Sequence, residues 1–126
     1  MVNSKQKINH FVDLETWKIN HQLTKEIYNI TKKFPQEEKF GIADQLRRAS
    51  SSITANIAEA YGRFHYKDKI RFYYQARGSN AEVQNFLILS FELGLINEKE
   101  FNELKILCFQ GYKLLGGLIR STEKRS

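Results

Sequence analysis

The sequence predicts an all-α protein, an antiparallel up-down-up-down four-helix bundle. Three observations predict it. Pro35 is the single proline in 126 residues, the 7 glycines are not gathered into linkers, and apolar residues recur at alternating steps of three and four in four successive stretches. Few breakers favour long helices over many short strands. The alternation places the apolar side chains on one side of each helix.

The first helix is expected from about Asp13 to Phe34, with Asp13 in the N-cap position. Pro35 closes it, because the residue before a proline is driven out of the helical region. Leu23, Ile27, Ile30 and Phe34 form its core stripe. At about 100° per residue, Leu14, Trp17, His21, Thr24 and Tyr28 lie on a second line roughly 140° away. Two apolar lines on one helix imply a contact outside the bundle.

The second helix is expected from about Glu37 to Tyr61, with the stripe Ile42, Leu46, Ala49, Ile53, Asn56, Ala60. The third, from about Lys67 to Leu93, carries the heptad Phe72, Ala76, Ser79, Val83, Phe86, Ser90, Leu93. Gly94 is its stop. The fourth starts at Asn97, with Glu100 at capping-box spacing, and carries Phe101, Leu104, Cys108, Gly111, Leu115 and Leu118. Helices of about 22 to 27 residues extend roughly 33 to 40 Å. Similar lengths with short connections give the up-down-up-down order. Residues 1–12 read as an N-terminal arm, 13–121 as the bundle and 122–126 as a polar tail that frays.

A chain of this size supports one core. No apolar run approaches the roughly 18 to 20 residues of a membrane span. MVNSKQKINHF has lysines but no apolar stretch, so no secretory signal is expected. Cys108 is the sole cysteine, which excludes an intrachain disulfide and points to a reducing cytoplasm. On a core stripe it reads as a small buried hydrophobe.

Enzyme signatures are missing: there is no P-loop, GxGxxG or GxSxG. His10, His21 and His65 lack ligand spacing, and no Glu-x-x-His pair occurs. Ser50 to Ser52 have no triad-like context. The expectation is a non-enzyme without metal or cofactor.

Asn56, Ser79 and Ser90 occupy stripe positions where an apolar residue belongs. With Gln45, Ser52, Glu59 and Glu82 beside them, Asn56 and Ser79 predict one satisfied polar network, since unpaired buried polar groups cost free energy. Two readings stay open: a pocket holding Glu59 and Glu82 as a carboxylate pair, or a structural network fixing helix register.

The formal charge is +6, from 20 Lys and Arg against 14 Asp and Glu. Between Gln45 and Ala81 seven cations face only Glu59 and Asp68: Arg47, Arg48, Arg63, Lys67, Lys69, Arg71 and Arg77. Within this segment, RFHYKDKIRFYYQARGSNAE interleaves basic residues with rings. As a helix it turns Phe72, Ala76 and Ser79 inward, with Arg63 to Tyr66 at the preceding turn. Tyr66, Tyr73 and Tyr74 stay open between packing on a neighbouring chain and touching a base or sugar. The seven basic residues form either a solvated face or a surface that neutralises phosphates. No recognition helix-turn-helix, RNP motif or KH loop is present, so any binding of RNA or DNA depends on charge and shape.

QLRRASSSITANIAEA (Gln45 to Ala60) followed by ARGSNAEVQ (Ala76 to Gln84) resembles the four-helix-bundle proteins encoded in intervening sequences of bacterial 23S ribosomal RNA genes. DLETWKINHQL and FELGLI match as well, and the similarity covers about residues 11 to 120. Ala60 departs from the glycine usual after NIAE, and Thr54 or Ala55 replaces a frequent proline; a helix accommodates both changes. The family is similar in fold to accessory proteins of diversity-generating retroelements, ring-like homopentamers with a basic surface that bind a reverse transcriptase and nucleic acid. The resemblance therefore implies a homo-oligomer, with a pentamer expected. Its motif residues carry over as Ser52, Asn56, Glu59, Gly78, Ser79 and Glu82, in structural roles, and it offers no catalytic residues.

Two functions follow as expectations. One is a self-associating bundle that binds RNA or DNA through its basic surface. The alternative is an assembly module that recruits a protein such as a reverse transcriptase without direct nucleic-acid contact.

Overall fold

Asn97 opens the last helix with the reciprocal pair its spacing predicts. Its Oδ1 accepts from the Glu100 backbone N–H at 2.8 Å, and Glu100 Oε1 accepts from the Asn97 N–H at 2.9 Å. Three residues earlier Gly94 stands at φ +76°, the left-handed region that a residue without Cβ enters freely. The computed structural model describes residues 7–126. Among them are four long helices: α1 (Glu15–Thr31), α2 (Ile42–Tyr61), α3 (Tyr66–Glu92) and α4 (Glu98–Glu123), with short 3-10 turns at Phe11–Asp13 and Gln36–Glu38. The described residues contain no strand.

Side-chain contacts fix the helix directions. Thr31 meets Arg47 while Thr24, earlier in α1, meets Ser50, later in α2. Lys69 reaches the α2 C-terminus and Ser79 meets Ser52. Tyr74 bonds Glu123, and Asn80 bonds the Cys108 carbonyl. Lys33, just beyond the end of α1, pairs with Glu100 near the start of α4. Consecutive helices are antiparallel, and α1 and α4 close the ring of four.

Leu23, Ile27, Leu46, Ile53, Ile57, Val83, Leu87, Leu115 and Ile119 fill the centre, each at most 2% exposed. Burying one such side chain contributes roughly 1.5–3 kcal/mol. Cys108 is fully buried on the α4 stripe, as its position predicts.

Several expectations are corrected. Asp13 does not cap α1: its carboxylate accepts from the N–H groups of Asn9 and His10 and closes the 3-10 turn instead. The predicted N-terminal arm is thus partly folded, with Phe11 against Trp17 and Tyr61; residues 1–6 of that arm, and most of the stretch read for a signal, lie outside the described residues. Glu37 and Glu38 belong to the second 3-10 turn, and α2 begins at Ile42. At the far end α4 continues to Glu123 with Thr122 buried, so the tail is shorter than expected.

The α3 stripe is rotated by one residue at alternate positions. Tyr73, Asn80 and Leu87 are buried, where Phe72, Ser79 and Phe86 were expected, and Leu93 is 57% exposed. Ala76, Val83 and Ser90 face inward as predicted. The α3 sequence is apolar on nearly every side at Phe72 to Tyr74 and Phe86 to Leu89, so periodicity alone left the azimuth open. In α2 the same shift buries Ala43 and Ile57 rather than Ile42 and Asn56, which are half-buried.

The second line on α1 is largely used within the molecule. The Thr24 hydroxyl donates to the Ser50 carbonyl at 3.1 Å, Tyr28 receives the Arg47 guanidinium 4.8 Å from its ring centre, and Trp17 stacks on His21 at 4.3 Å. It no longer argues for an external contact.

Candidate nucleic-acid interface

The seven predicted cations separate into three groups. Arg47 and Lys69 are committed to the fold. Arg47 Nε donates to Thr31 Oγ1 at 2.8 Å while its guanidinium covers Tyr28. Lys69 Nζ donates to the carbonyls of Ala60 and Tyr61, both at 3.1 Å. These carbonyls lie in the last turn of α2, where intrahelical donors run out and a cation complements the helix dipole.

Arg48, Arg63 and Arg71 pair with carboxylates one turn away. Arg48 meets Asp44 at 2.9 Å, Arg63 meets Glu59 at 2.8 Å, and Arg71 lies 3.9 Å from Asp68. All three arginines keep substantial exposure, so these pairs are weak and screened by salt. Arg63 and Arg71 each lie against the Phe72 ring, at 4.7 and 4.8 Å from its centre. Arg77 rests on Tyr74 and near Tyr112, facing α4. Lys67 is exposed and forms none of the ion pairs among the described residues.

The structure thus gathers Arg63, Lys67, Lys69 and Arg71 at the α2–α3 turn and leaves Arg47, Arg48 and Arg77 elsewhere. Arg47 and Arg48 lie about 22 Å from that turn along α2, at about 1.5 Å per residue. The sequence reading missed the contribution of α4, whose C-terminus ends beside the turn. Arg125 and Ser126 line a shallow groove there with His65, Tyr66, Lys67 and Asp68. The clue lay in TEKRS, which was read as a tail.

The charge is polarised along the bundle. At this end, residues 59–71 and 120–126 hold seven Lys and Arg against three carboxylates, and with residues 7–18 at the start of α1 the balance is nine against five. At the opposite end, residues 32–44 and 90–103 hold four against seven. That end also carries the α1–α4 groove, where Glu26, Glu100, Glu103 and Lys33 rim a floor of Ile30, Leu104 and Leu107.

The expected polar network forms in part. The Ser79 hydroxyl donates to Ser52 Oγ at 3.0 Å, and Asn56 Nδ2 donates to the Ser52 carbonyl and Oγ at 2.9 and 3.1 Å. Gln45, Glu59 and Glu82 are exposed outside it, so the paired-carboxylate pocket does not form. A second network, which the sequence reading missed, lies deeper. Asn80 Nδ2 donates to Asn20 Oδ1 and to the Cys108 carbonyl, both at 3.1 Å, and Asn80 Oδ1 accepts from Gln84 Nε2 at 2.9 Å. Asn20 and Asn80 are wholly buried. Burial pushes the Cys108 thiol up to about 12, which keeps it protonated and unreactive. Among the described residues no group of three or more His, Cys, Asp or Glu is placed to hold a metal ion. No described helix is long and apolar enough to cross a membrane.

A family model described as 23S rRNA-intervening sequence protein matches residues 12–117. The chain belongs to this family. No curated protein matches it. Among solved structures, a protein of unknown function from the S23 ribosomal protein family of Bacteroides thetaiotaomicron is similar, with a TM-score of 0.77 and 25% identity over 82% of this chain and 97% of that one. Of the residues that resemble motifs of the intervening-sequence proteins, Ser79 joins α3 to Ser52 on α2, and Asn56 braces Ser52 from within α2. Glu59, Gly78 and Glu82 face outward.

Proposed function

We propose that this intervening-sequence family protein is a non-enzymatic, self-associating four-helix bundle that binds RNA or DNA through one basic end. The observation that carries the reading is the axial charge polarity, with seven cations against three carboxylates around the α2–α3 turn and the α4 C-terminus. Phosphates are bound there by Lys67, Arg71 and Arg125, while Arg63 contributes in exchange for its Glu59 pair. Arg47 and Lys69 support the fold, and Arg48 and Arg77 stand apart from the cluster. Contact by charge is sequence-independent and opposed by salt, because binding releases counterions. A reducing cytoplasm is the compartment this reading assigns, with Cys108 a buried free thiol.

Self-association is supported by exposed apolar side chains on α3 and α4, Ile88 at 47%, Ile106 at 64% and Phe109 at 51%. A pentamer is the number the family resemblance implies, and sedimentation of the purified chain measures it.

The test of nucleic-acid binding is a salt series with labelled RNA, comparing the native chain with Lys67→Glu/Arg71→Glu/Arg125→Glu. The expected result is an affinity that falls steeply with salt, with the logarithmic slope reduced by about 2 in the variant, at ~0.7 per neutralised phosphate on a single strand. Absent or salt-insensitive binding by the native chain sinks the reading and leaves recruitment of a protein partner in its place.

A further inference from the structure

The α2–α3 turn carries a feature that phosphate neutralisation does not use. Phe64 is 88% exposed, the most exposed large apolar side chain among the described residues. Single exposed apolar residues are ordinary on protein surfaces. This one is unusual in its surroundings. Arg63 precedes it, His65 stands perpendicular to its ring with centroids 5.0 Å apart, and Lys67 follows three residues later. Tyr66, 39% exposed, lines the adjoining groove with Lys67 and Arg125.

An apolar knob that docks on protein is suited by an apolar rim. Here the surroundings carry Arg63, Lys67, Arg71 and Arg125 against Glu59 and Asp68, a net positive charge, so the fitting partner offers a flat π-face and negative charge within a few ångströms. A nucleic-acid strand has both, but a duplex covers its base faces by stacking. An unpaired strand leaves them open, and aromatic rings beside basic side chains are the general means of holding one. Arg63 and Arg71 rest on Phe72 instead, 4.7 and 4.8 Å from its centre.

We infer that the α2–α3 turn is a single-strand site. One unpaired base stacks on Phe64, and the flanking phosphates lie on Lys67, Arg71 and Arg125. The inference rests on the nucleic-acid reading of the basic end and adds the class of ligand and a residue that reads it.

The test is fluorescence anisotropy with a labelled thymidine oligonucleotide of about 15 nucleotides, the same strand with abasic sites, and a blunt duplex of equal length. Phe64→Ala, Phe64→Trp and the triple charge reversal are compared with the native chain at several salt concentrations. Phe64 makes no buried contact, so far-UV circular dichroism of Phe64→Ala is expected to match the native chain. Phe64→Ala weakens the intact single strand by about 5- to 150-fold, the loss of one stacked base, and leaves the slope of affinity against salt unchanged. Phe64→Trp restores binding. The abasic strand binds the native chain and Phe64→Ala alike. Equal affinity of the native chain and Phe64→Ala for the intact strand overturns stacking while leaving charge-driven binding intact. Failure of the native chain to bind any of the three probes at low salt overturns the underlying reading as well. Loss of the solution oligomer in Phe64→Ala, with oligonucleotide affinity unchanged, also overturns the inference and assigns the ring to a contact between copies.

Discussion

Asn80 donates its side-chain amide to Asn20 Oδ1 across the diagonal of the bundle, at 3.1 Å, and neither side chain touches solvent. Backbones of α1 and α3 are otherwise held apart, each packing against α2 and α4. Asn20 Nδ2 is in turn fixed on the Thr16 carbonyl at 2.9 Å, so the bridge is tied into α1 as well. Replacing Asn80 by Leu strands Asn20 Oδ1 in the core, while the Cys108 carbonyl, inside α4, keeps its intrahelical partner. The expected cost is about 1–3 kcal/mol, the cost of one orphaned buried polar group. The double variant Asn20→Leu/Asn80→Leu removes both partners, so its deficit falls well short of the two single ones added together. Urea unfolding of the four proteins measures the coupling, and strict additivity refutes the bridge.

Gly111 exists to make room for that bridge. A Cβ built on it overlaps the Asn20 side-chain amide, which is held by Thr16 and Asn80 and cannot yield. Gly111→Ala is expected to cost about 1–3 kcal/mol, the range of a forced overpacking. Gly78, in the middle of α3, is the counter-case: nothing lies within 4 Å of its Cβ position. Gly78→Ala removes only backbone freedom, and is expected to stabilise by about 0.5–1 kcal/mol. A thermal shift in the same direction for both variants contradicts this account.

Helix number, order and most boundaries were legible because Pro35, Gly94 and the Asn97–Glu100 pair are local signals, and local chemistry decides them. The azimuth of α3 was not. Phe72 and Tyr73 are adjacent and both apolar, and the choice between them depends on Asn80, seven residues after Tyr73, having partners in α1 and α4. A sequence scan places an apolar residue inward by preference; satisfied hydrogen bonds reverse that preference at Asn80 and leave Ser79 at the half-buried α2 seam. The basic segment was legible as composition, but its division was not. Arg47 and Lys69 are drawn into the fold by a hydroxyl and two carbonyls on other elements, and Arg125 joins only because α4 ends beside the α2–α3 turn.

Cys108 offers a direct probe of core opening. Its thiol, raised to about 12 by burial, is almost wholly protonated at pH 8, whereas an unfolded cysteine has a value of about 8.5. Thiolate is the reacting form, so modification in the native state is expected to be slower by about a thousandfold from ionisation alone, with steric exclusion added. Titration with a thiol reagent in increasing urea then follows global unfolding, and rapid labelling without denaturant contradicts a closed core.

The α1–α4 end carries a small pH-dependent contribution whose sign the geometry sets. The Lys33 ammonium, 2.8 Å away, and next the Asn97 backbone N–H hold the Glu100 carboxyl below its ordinary value. A carboxyl with a depressed folded value stabilises the fold at pH above its unfolded value, about 4.3, and loses that contribution as pH falls through the folded one. Lys33 is well exposed, so solvent screening limits the ion pair to a few tenths of a kcal/mol. Glu100→Gln is therefore expected to cost less than about 1 kcal/mol at pH 7, and its deficit shrinks between pH 7 and pH 3 as the native carboxyl begins to take up its proton. Asn97→Ala removes the acceptor for the Glu100 N–H, which does not titrate, and should cost about 1 kcal/mol at both pH values. Unfolding curves of the two variants at pH 7 and pH 3 separate the charge from the cap. A Glu100→Gln deficit that is the same at both pH values would show that the carboxylate charge contributes nothing.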